Sequence, residues 1–183
     1  MPFTAKSGKF NASINVVEFG TGDKAVKIGG ENVFPLYSFD AAIENAPKVG
    51  IEITDFGMEH EPECIKKYYE GCATLADMAR KAASMEGVDF LSFRMEGGDP
   101  NGANKSTEEL IGELKEIADA VDLPLVVCGC KNVEKDAELF SKAAEALNGK
   151  NAVILSAKEE NYKTVGAAAG LAYKQVVGAE SAV

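Results

Sequence analysis

The richest concentration of polar residues is the segment Arg94–Ser106, which reads RMEGGDPNGANKS. Asp99-Pro100-Asn101-Gly102 places proline and glycine where a tight turn prefers them, and Gly97-Gly98 lets the backbone approach a ligand closely. The predicted helix start at Lys105–Thr107 offers free N–H groups and a positive dipole end, which suit an anion. The phosphate-binding P-loop pattern is not met, because two extra residues separate the last glycine from the lysine. Two interpretations of this segment remain: a structural turn with a helix cap, and an anion-binding site.

Other residues at predicted strand ends have chemistry to offer. Asp55, Glu96 and Asp99 could share acid–base work, although an ordinary polar rim explains them equally well. His60 is the only histidine, so there is no second imidazole for a metal site or a relay. Lys158 could be a Schiff-base lysine of an aldolase, but Ser156–Glu160 reads as the entry to a helix.

The four cysteines are Cys64, Cys72, Cys128 and Cys130. Their spacings match no common zinc or iron–sulfur framework. A soft metal at Cys128-Gly129-Cys130 stays open, but we expect buried, reduced thiols. The chain is therefore expected to carry no iron–sulfur cluster and no metal of its own.

The elements that must position these residues are four strand-plus-helix units, which predict a parallel α/β sheet. The strand cores are Gly50–Thr54, Asp89–Phe93, Leu123–Val127 and Ala152–Ser156. In such folds ligands bind beyond the carboxyl ends of the strands, where the polar loops described above begin. A closed (β/α)₈ barrel typically needs about 250 residues, and the chain has 183. The length is compatible with two architectures, half a barrel and a small open α/β domain.

Helix signals separate the strands. Ser106 and Glu109 predict a capping box, and Thr74 followed by Asp77 predicts a second N-cap. The expected helices are Pro62–Glu70, Thr74–Glu86, one starting at Ser106, Val133–Leu147 and Asn161–Gln175. No fifth strand is expected after Val176–Val177, so the unpaired sheet edges favour a truncated barrel of about four of eight units.

Residues 1–48 lie outside this rhythm. Apolar and polar residues alternate on either side of Gly20–Asp23, which predicts a β-hairpin. Gly29–Asn32 predicts a second turn, and Val33–Phe39 a further short strand. We expect two parts: an N-terminal hairpin cap at 1–48, and half of a TIM-barrel domain at 49–183.

The amino-acid composition argues against nucleic acid and membranes as partners of this chain. The formal net charge is −10, and nucleic acid or an anionic membrane would need clustered lysine and arginine instead. No apolar run approaches the roughly 20 residues of a membrane-spanning helix. The start MPFTAKSGKF has no apolar core typical of a secretory signal, so the chain is expected to be cytoplasmic.

Four stretches resemble one known family, the small (delta) subunit of the corrinoid/iron–sulfur protein in the CO dehydrogenase/acetyl-CoA synthase system. They are Lys9–Asp40, Glu96–Ser106, Cys130–Phe140 and Leu155–Tyr173. The resemblance covers essentially the whole chain. Members of that family are longer and form a full TIM barrel, so the chain corresponds to the N-terminal part of one.

The resemblance implies a subunit of a corrinoid methyl carrier in the reductive acetyl-CoA pathway. The large subunit would hold the iron–sulfur cluster and most contacts to a cobamide, which this chain would face across a heterodimer interface. A methyltetrahydrofolate-type methyltransferase would supply the methyl group, and acetyl-CoA synthase would receive it. The residues expected toward the corrinoid or the partner are Arg94, Glu96, Asp99, Asn101, Asn104, Lys131 and Asn132. None is expected to be catalytic, because the cofactor carries the chemistry.

Two other classes of protein stay open. A pterin-binding methyltransferase barrel would use Asp55, Asp99 and Asn101 to hold the pterin. A non-catalytic half barrel would instead associate with itself through its exposed sheet edges.

Overall fold

The computed structural model describes residues 11–32 and 43–181. The predicted short strand at Val33–Phe39 lies outside these described residues. Within these described residues, seven strands and five α-helices form a hairpin followed by repeated β/α units. The fold is α/β, as predicted, with a parallel sheet, flanking helices and a separate antiparallel hairpin.

Five parallel strands form the main sheet, and they are paired strictly in chain order. Their bounds are β3 Gly50–Thr54, β4 Phe90–Arg94, β5 Leu125–Cys128, β6 Val153–Ala157 and β7 Val176–Ala179. A doubly wound sheet would reverse its strand order at a switch point, whereas a barrel does not. The consecutive order therefore fits a partial barrel.

The helices agree with the predicted capping signals. Their bounds are α1 Glu63–Tyr68, α2 Leu75–Ala83, α3 Thr107–Ala120, α4 Val133–Ala146 and α5 Tyr162–Val165. Thr74 and Asp77 form a complete capping box at α2. At α3 the Ser106 hydroxyl accepts from the Glu109 N–H at 3.1 Å, so the Ser106 half of the predicted box is present.

One face of the sheet carries the main hydrophobic core. Side chains that alternate along the strands, such as Ile53, Phe93 and Val127, pack there against the helices. Burying this apolar surface is the main favourable term that holds the helices to the sheet. The opposite side, called here the inner face, carries the remaining side chains of the same strands, because successive residues of a strand point to opposite faces.

The predicted hairpin covers the amino-terminal end of the inner face. Its strands β1 Val17–Phe19 and β2 Val26–Ile28 are antiparallel. Phe19 meets Phe90 edge to face, with ring centroids 5.8 Å apart, and joins a small cluster with Val126. The Gly20 N–H donates to the Asn151 carbonyl at 2.7 Å. The carboxyl-terminal half of the inner face carries Arg94 and Glu52 beside Cys128 and Leu155.

The expectation that no fifth strand follows Val176–Val177 was wrong. β7 pairs in parallel with β6, and buried Gln175 holds its start. The Gln175 amide oxygen accepts from the Ala152 N–H at 2.6 Å, while its nitrogen donates to the Leu147 carbonyl at 3.0 Å. These are long-range contacts, which no local strand signal reports.

The last helix also differs from the prediction of one helix over Asn161–Gln175. After α5 the chain continues as a π-helix, Gly166–Ala172. Small residues such as Ala169, which is fully buried, allow this segment to lie close to the neighbouring elements. A π-helix satisfies the backbone hydrogen bonds with i→i+5 pairs, and such segments are rare and occur mostly as single turns within α-helices.

Candidate functional site

The polar loops that follow β3 to β6 all lie at one end of the sheet, because parallel strands share their direction. This end, called here the rim, comprises residues 55–60, 95–105, 129–132 and 158–161. It is the end at which parallel α/β folds bind ligands. The hairpin covers the opposite end, so the rim is the open side of the inner face.

Arg94 closes β4 on the inner face and is held by Glu52 of the neighbouring strand β3. Its Nε donates to Glu52 Oε1 at 2.9 Å, and its Nη2 donates to Oε2 at 2.8 Å. This hydrogen bonding raises the pKa of the Arg94 guanidinium above its ordinary value. Two parallel bonds fix the plane of the guanidinium. On the same face, Ser92 Oγ lies 3.5 Å from Cys128 Sγ.

A cavity of about 250 Å³ lies beside this pair at the ends of the central strands. Arg94, Lys131 and Lys158 bring three cationic side chains to its wall. Cys128 and Gly129 supply part of the remaining wall. The cavity thus gathers residues from three successive β/α units that are far apart in the chain.

The loop that carries Lys131 is fixed by a buried carboxylate. Asp136 Oδ1 accepts from the Cys130 N–H at 2.7 Å and from the Cys130 thiol at 3.2 Å. Burial raises the pKa of Asp136 above its ordinary value, and burial likewise raises the pKa of the Cys130 thiol to about 11. A side chain at Gly129 would collide with the Asp136 carboxylate. Lys131 itself adopts a left-handed backbone conformation, with φ of 71°.

A second buried carboxylate fixes the loop after β4. Both oxygens of Asp55 accept from the Gly97 N–H, at 2.9 and 3.1 Å, and Lys105 Nζ lies 3.0 Å from Oδ2. The Asp55 side chain is 0% exposed. Burial acts to lower the pKa of Lys105, but Asp55 and then Glu113 raise it overall. The Asp55 carboxylate is therefore a lock between two rim loops.

These contacts decide between the alternatives for the glycine-rich segment. Lys105 is engaged by Asp55 and by Glu113 at 3.3 Å, and Ser106 caps its own helix. The structural interpretation of this helix start accounts for both side chains. The predicted acid–base cluster is also not assembled, because Asp55 is enclosed, Glu96 is exposed and Asp99 accepts from Asn101.

The seven residues expected toward a ligand fall into three groups. Arg94 and Lys131 line the same cavity, and Glu96 and Asn104 are exposed on the rim. The others serve local structure. Asp99 Oδ1 accepts from the backbone and side-chain N–H groups of Asn101 at 3.0 and 3.2 Å, and Asn132 Oδ1 caps α4 by accepting from the Lys135 N–H at 3.0 Å.

The remaining candidates also have defined places. His60 packs edge to face on Phe56, which is a local contact. Lys158 follows β6 and its Nζ lies 3.9 Å from a carboxylate oxygen of Glu180. All four cysteines are free. Cys128 and Cys130 are buried, as expected, whereas Cys72 is half-buried and Cys64 is exposed.

Sequence reasoning missed Glu52 and Asp136. Glu52 had a usable signal, since a charged residue between Ile51 and Ile53 of a strand must face the side opposite the core. Asp136 had none, because an acidic residue in the first turn of a helix is ordinary.

Within residues 11–32 and 43–181, no group of three or more His, Cys, Asp or Glu side chains is arranged to hold a metal. Over the same residues, no helix has the length and apolar character needed to cross a membrane.

Known proteins resemble most of this chain. Residues 16–182 match the model of the CO dehydrogenase/acetyl-CoA synthase delta subunit family. A relative from Methanothermobacter thermautotrophicus, the acetyl-CoA decarbonylase/synthase complex subunit delta, is 33% identical over 84% of this chain and 40% of its own length. The subunit of the same name from Methanocaldococcus jannaschii is 30% identical over 86% of this chain and 40% of its own length.

A third relative with that name, from Archaeoglobus fulgidus, is 30% identical over 75% of this chain and 30% of its own length. The chain thus spans well under half the length of these curated relatives. The match nevertheless runs from the hairpin to β7, so it includes every described strand of the main sheet. The chain therefore belongs to the CO dehydrogenase/acetyl-CoA synthase delta subunit family.

Proposed function

We propose that this chain is part of a cytoplasmic corrinoid methyl carrier and that it shields a cobamide held mainly by a larger partner subunit. The observation that carries the proposal is the family match over residues 16–182. Three relatives bear the name of a delta subunit of the acetyl-CoA decarbonylase/synthase complex, which supports a role within a larger assembly. The iron–sulfur cluster would belong to the large corrinoid subunit.

The rim residues suit the periphery of a corrinoid. A cobamide presents amide groups and a phosphodiester at its edge. These would accept hydrogen bonds from Arg94, Lys131 and Lys158, whose positive charges would offset the negative charge of the phosphodiester. Arg94 is preorganised by Glu52, and Lys131 is held on a loop fixed by Asp136. The corrinoid supplies the methyl-accepting cobalt, whereas this chain orients the cofactor edge and excludes water.

The two-part organisation belongs to the same proposal. Residues 1–48 would cap the amino-terminal end of the sheet, and residues 49–183 would form the front part of a TIM barrel. The hairpin already lies over that end, with Phe19 and Val26 packed against strand residues. The rim at the opposite end would then face the large subunit, and through it the methyltetrahydrofolate methyltransferase and acetyl-CoA synthase.

The pterin-binding alternative would need Asp55, Asp99 and Asn101 to be free for a ligand. Asp55 is enclosed and bonded to Gly97 and Lys105, and Asp99 and Asn101 bond to each other. None of these groups is displayed as a pterin cradle, so the geometry favours the carrier role.

Reconstitution tests the carrier role. The chain is mixed with the large corrinoid subunit and a cobamide, and the complex is followed by size-exclusion chromatography and by the visible spectrum of cobalt. We expect a stable complex and a spectral change, both weakened by Lys131→Glu at the rim. Lys24→Glu is the matched control, because exposed Lys24 lies in the hairpin turn at the opposite end of the sheet.

Two results would contradict the carrier role. The first is the absence of both complex and spectral change, and the second is equal weakening by the Lys131 and Lys24 variants. A monodisperse homodimer without cobamide affinity would instead support self-association through the strand edges.

A further inference from the structure

The cavity between Arg94, Lys131 and Lys158 is too small to receive a whole cofactor. Its volume is about 250 Å³, whereas pockets for drug-sized ligands occupy about 300–1,000 Å³. A corrin ring is larger again. The cavity therefore fits one substituent of a larger molecule, or a small ion.

The three cationic side chains have donors left to offer. Arg94 uses Nε and one terminal nitrogen on Glu52, so its other N–H groups are available. Among the described residues, Lys131 makes no hydrogen bond or ion pair through its ammonium group. Within residues 11–32 and 43–181, the Lys158 ammonium group has only the 3.9 Å approach to Glu180, which is close to the limit for an ion pair.

The acidic groups at the cavity are less able to compete. Asp136 is only 5% exposed, and its Oδ1 already accepts from Cys130. Glu180 has a side chain 63% exposed, so water screens its charge.

We propose that this cavity is a subsite for a phosphate or carboxylate group, bound by Arg94, Lys131 and Lys158. Planar guanidinium and ammonium donors around a small space are the chemistry that recognises such oxyanions. The subsite rests on the proposed carrier role, since its ligand is then one end of a methyl-transfer cofactor. Two sources share this chemistry: the phosphodiester of a cobamide and the glutamate carboxylates of a methyl-pterin.

Inorganic phosphate is the probe for the subsite itself. The chain is titrated with phosphate at constant ionic strength, and the amide signals of residues 129–132 and 158 are followed by NMR. We expect saturable shifts there, with a Kd that rises about tenfold in Lys131→Gln and in Lys158→Gln, since each removes a charge-assisted hydrogen bond. Lys24→Gln should leave the Kd unchanged. The amide spectrum also reports whether each variant is folded, and either lysine variant suffices.

The source of the anion is found by competition against bound phosphate. Displacement by cobalamin but not by cobinamide, which lacks the phosphodiester, assigns the subsite to the cobamide. Displacement by methyltetrahydrofolate, but not by a pterin without glutamate, assigns it to the pterin. Displacement by neither overturns the assignment to a methyl-transfer cofactor.

Two results overturn the subsite outright: shifts that do not saturate, and a Kd within twofold of wild type in both lysine variants. Failure of the carrier role is distinguishable, because it appears as loss of the complex with the large subunit. Phosphate binding to the chain alone does not depend on that complex.

Discussion

Replacing Asp55 with Asn should destabilise the protein strongly, because it removes the charge from a fully enclosed side chain without changing its size. The Asp55 carboxylate accepts twice from the Gly97 N–H and lies 3.0 Å from Lys105 Nζ. Breaking a buried ion pair by removing one partner costs about 3–5 kcal/mol. Lys105 keeps Glu113 and the Asp55 carbonyl, at 3.3 and 2.9 Å. Because Lys105 keeps these two partners, we expect the free energy of unfolding to fall by about 2–4 kcal/mol, which is slightly less than the usual cost of breaking a buried ion pair.

Urea unfolding followed by circular dichroism measures this loss. With a slope of about 2 kcal/mol per molar urea, a loss of about 3 kcal/mol lowers the midpoint by about 1.5 M. Asp99→Asn is the matched control, since it makes the same chemical change in the neighbouring rim loop. Among the described residues, the Asp99 carboxylate accepts only from Asn101. Asparagine supports the same type of turn, so we expect a change below about 0.5 kcal/mol.

A double-mutant cycle with Lys105→Met separates the ion pair from the backbone contact. We expect a coupling energy of about 1–3 kcal/mol between Asp55 and Lys105, since the two groups touch. The reasoning is refuted if Asp55→Asn and Asp99→Asn unfold at the same urea concentration. It is also refuted if the coupling is zero, because the carboxylate would then not depend on Lys105.

Three further predictions concern the loop after β5. Gly129→Ala should lower the urea midpoint, because its Cβ would meet the Asp136 carboxylate. Gly112→Ala, on open helix surface, is the control and should raise the midpoint slightly. Equal effects of the two substitutions would contradict the close approach of Gly129 to Asp136. Cys130, whose pKa is raised by burial to about 11, should react with iodoacetamide at pH 8 much more slowly than exposed Cys64, and mass spectrometry of the labelled peptides should show no such difference if the thiol is accessible. Burial raises the folded-state pKa of Asp136, so its ionised form lowers stability. The stability of wild type relative to Asp136→Asn should therefore rise as the pH falls from 7 through the folded pKa, and level off below the ordinary carboxyl pKa of about 4; a pH-independent difference would show that Asp136 does not titrate in the fold.

Short stretches of sequence predict much of the architecture. The run Leu125–Cys128 is buried at every position, as a strand covered on both faces must be. Ser106 and Thr74 mark helix starts with side chains that satisfy free backbone N–H groups. Parallel strands must also share an end, so the location of the polar rim followed from the order of the elements.

The fifth strand could not be predicted in the same way. Val176–Ala179 is short and contains Gly178, which weakens any strand signal. Its place is decided by Gln175, which bonds to Ala152 and Leu147 across 23 and 28 residues of chain. Such contacts exist only once the helices and strands have packed.

The candidate site divides in the same manner. Local sequence determined that Asp99, Asn101 and Asn132 would lie at strand ends, but their side chains form hydrogen bonds within a turn and at a helix cap. Conversely, Lys158 had suggested covalent chemistry, and the fold instead places it at one cavity with Arg94 and Lys131.

The sequence by itself determined the α/β class, the hairpin, the helix caps and the end of the sheet that carries polar residues. These depend on periodicity, turn residues and capping, which act over a few residues. Only the tertiary structure decided which charges are buried locks, as with Asp55, and which remain available, as with Lys131. The physical reason is that the energy of a charge depends on its burial and its partners, and both are set by residues from distant parts of the chain.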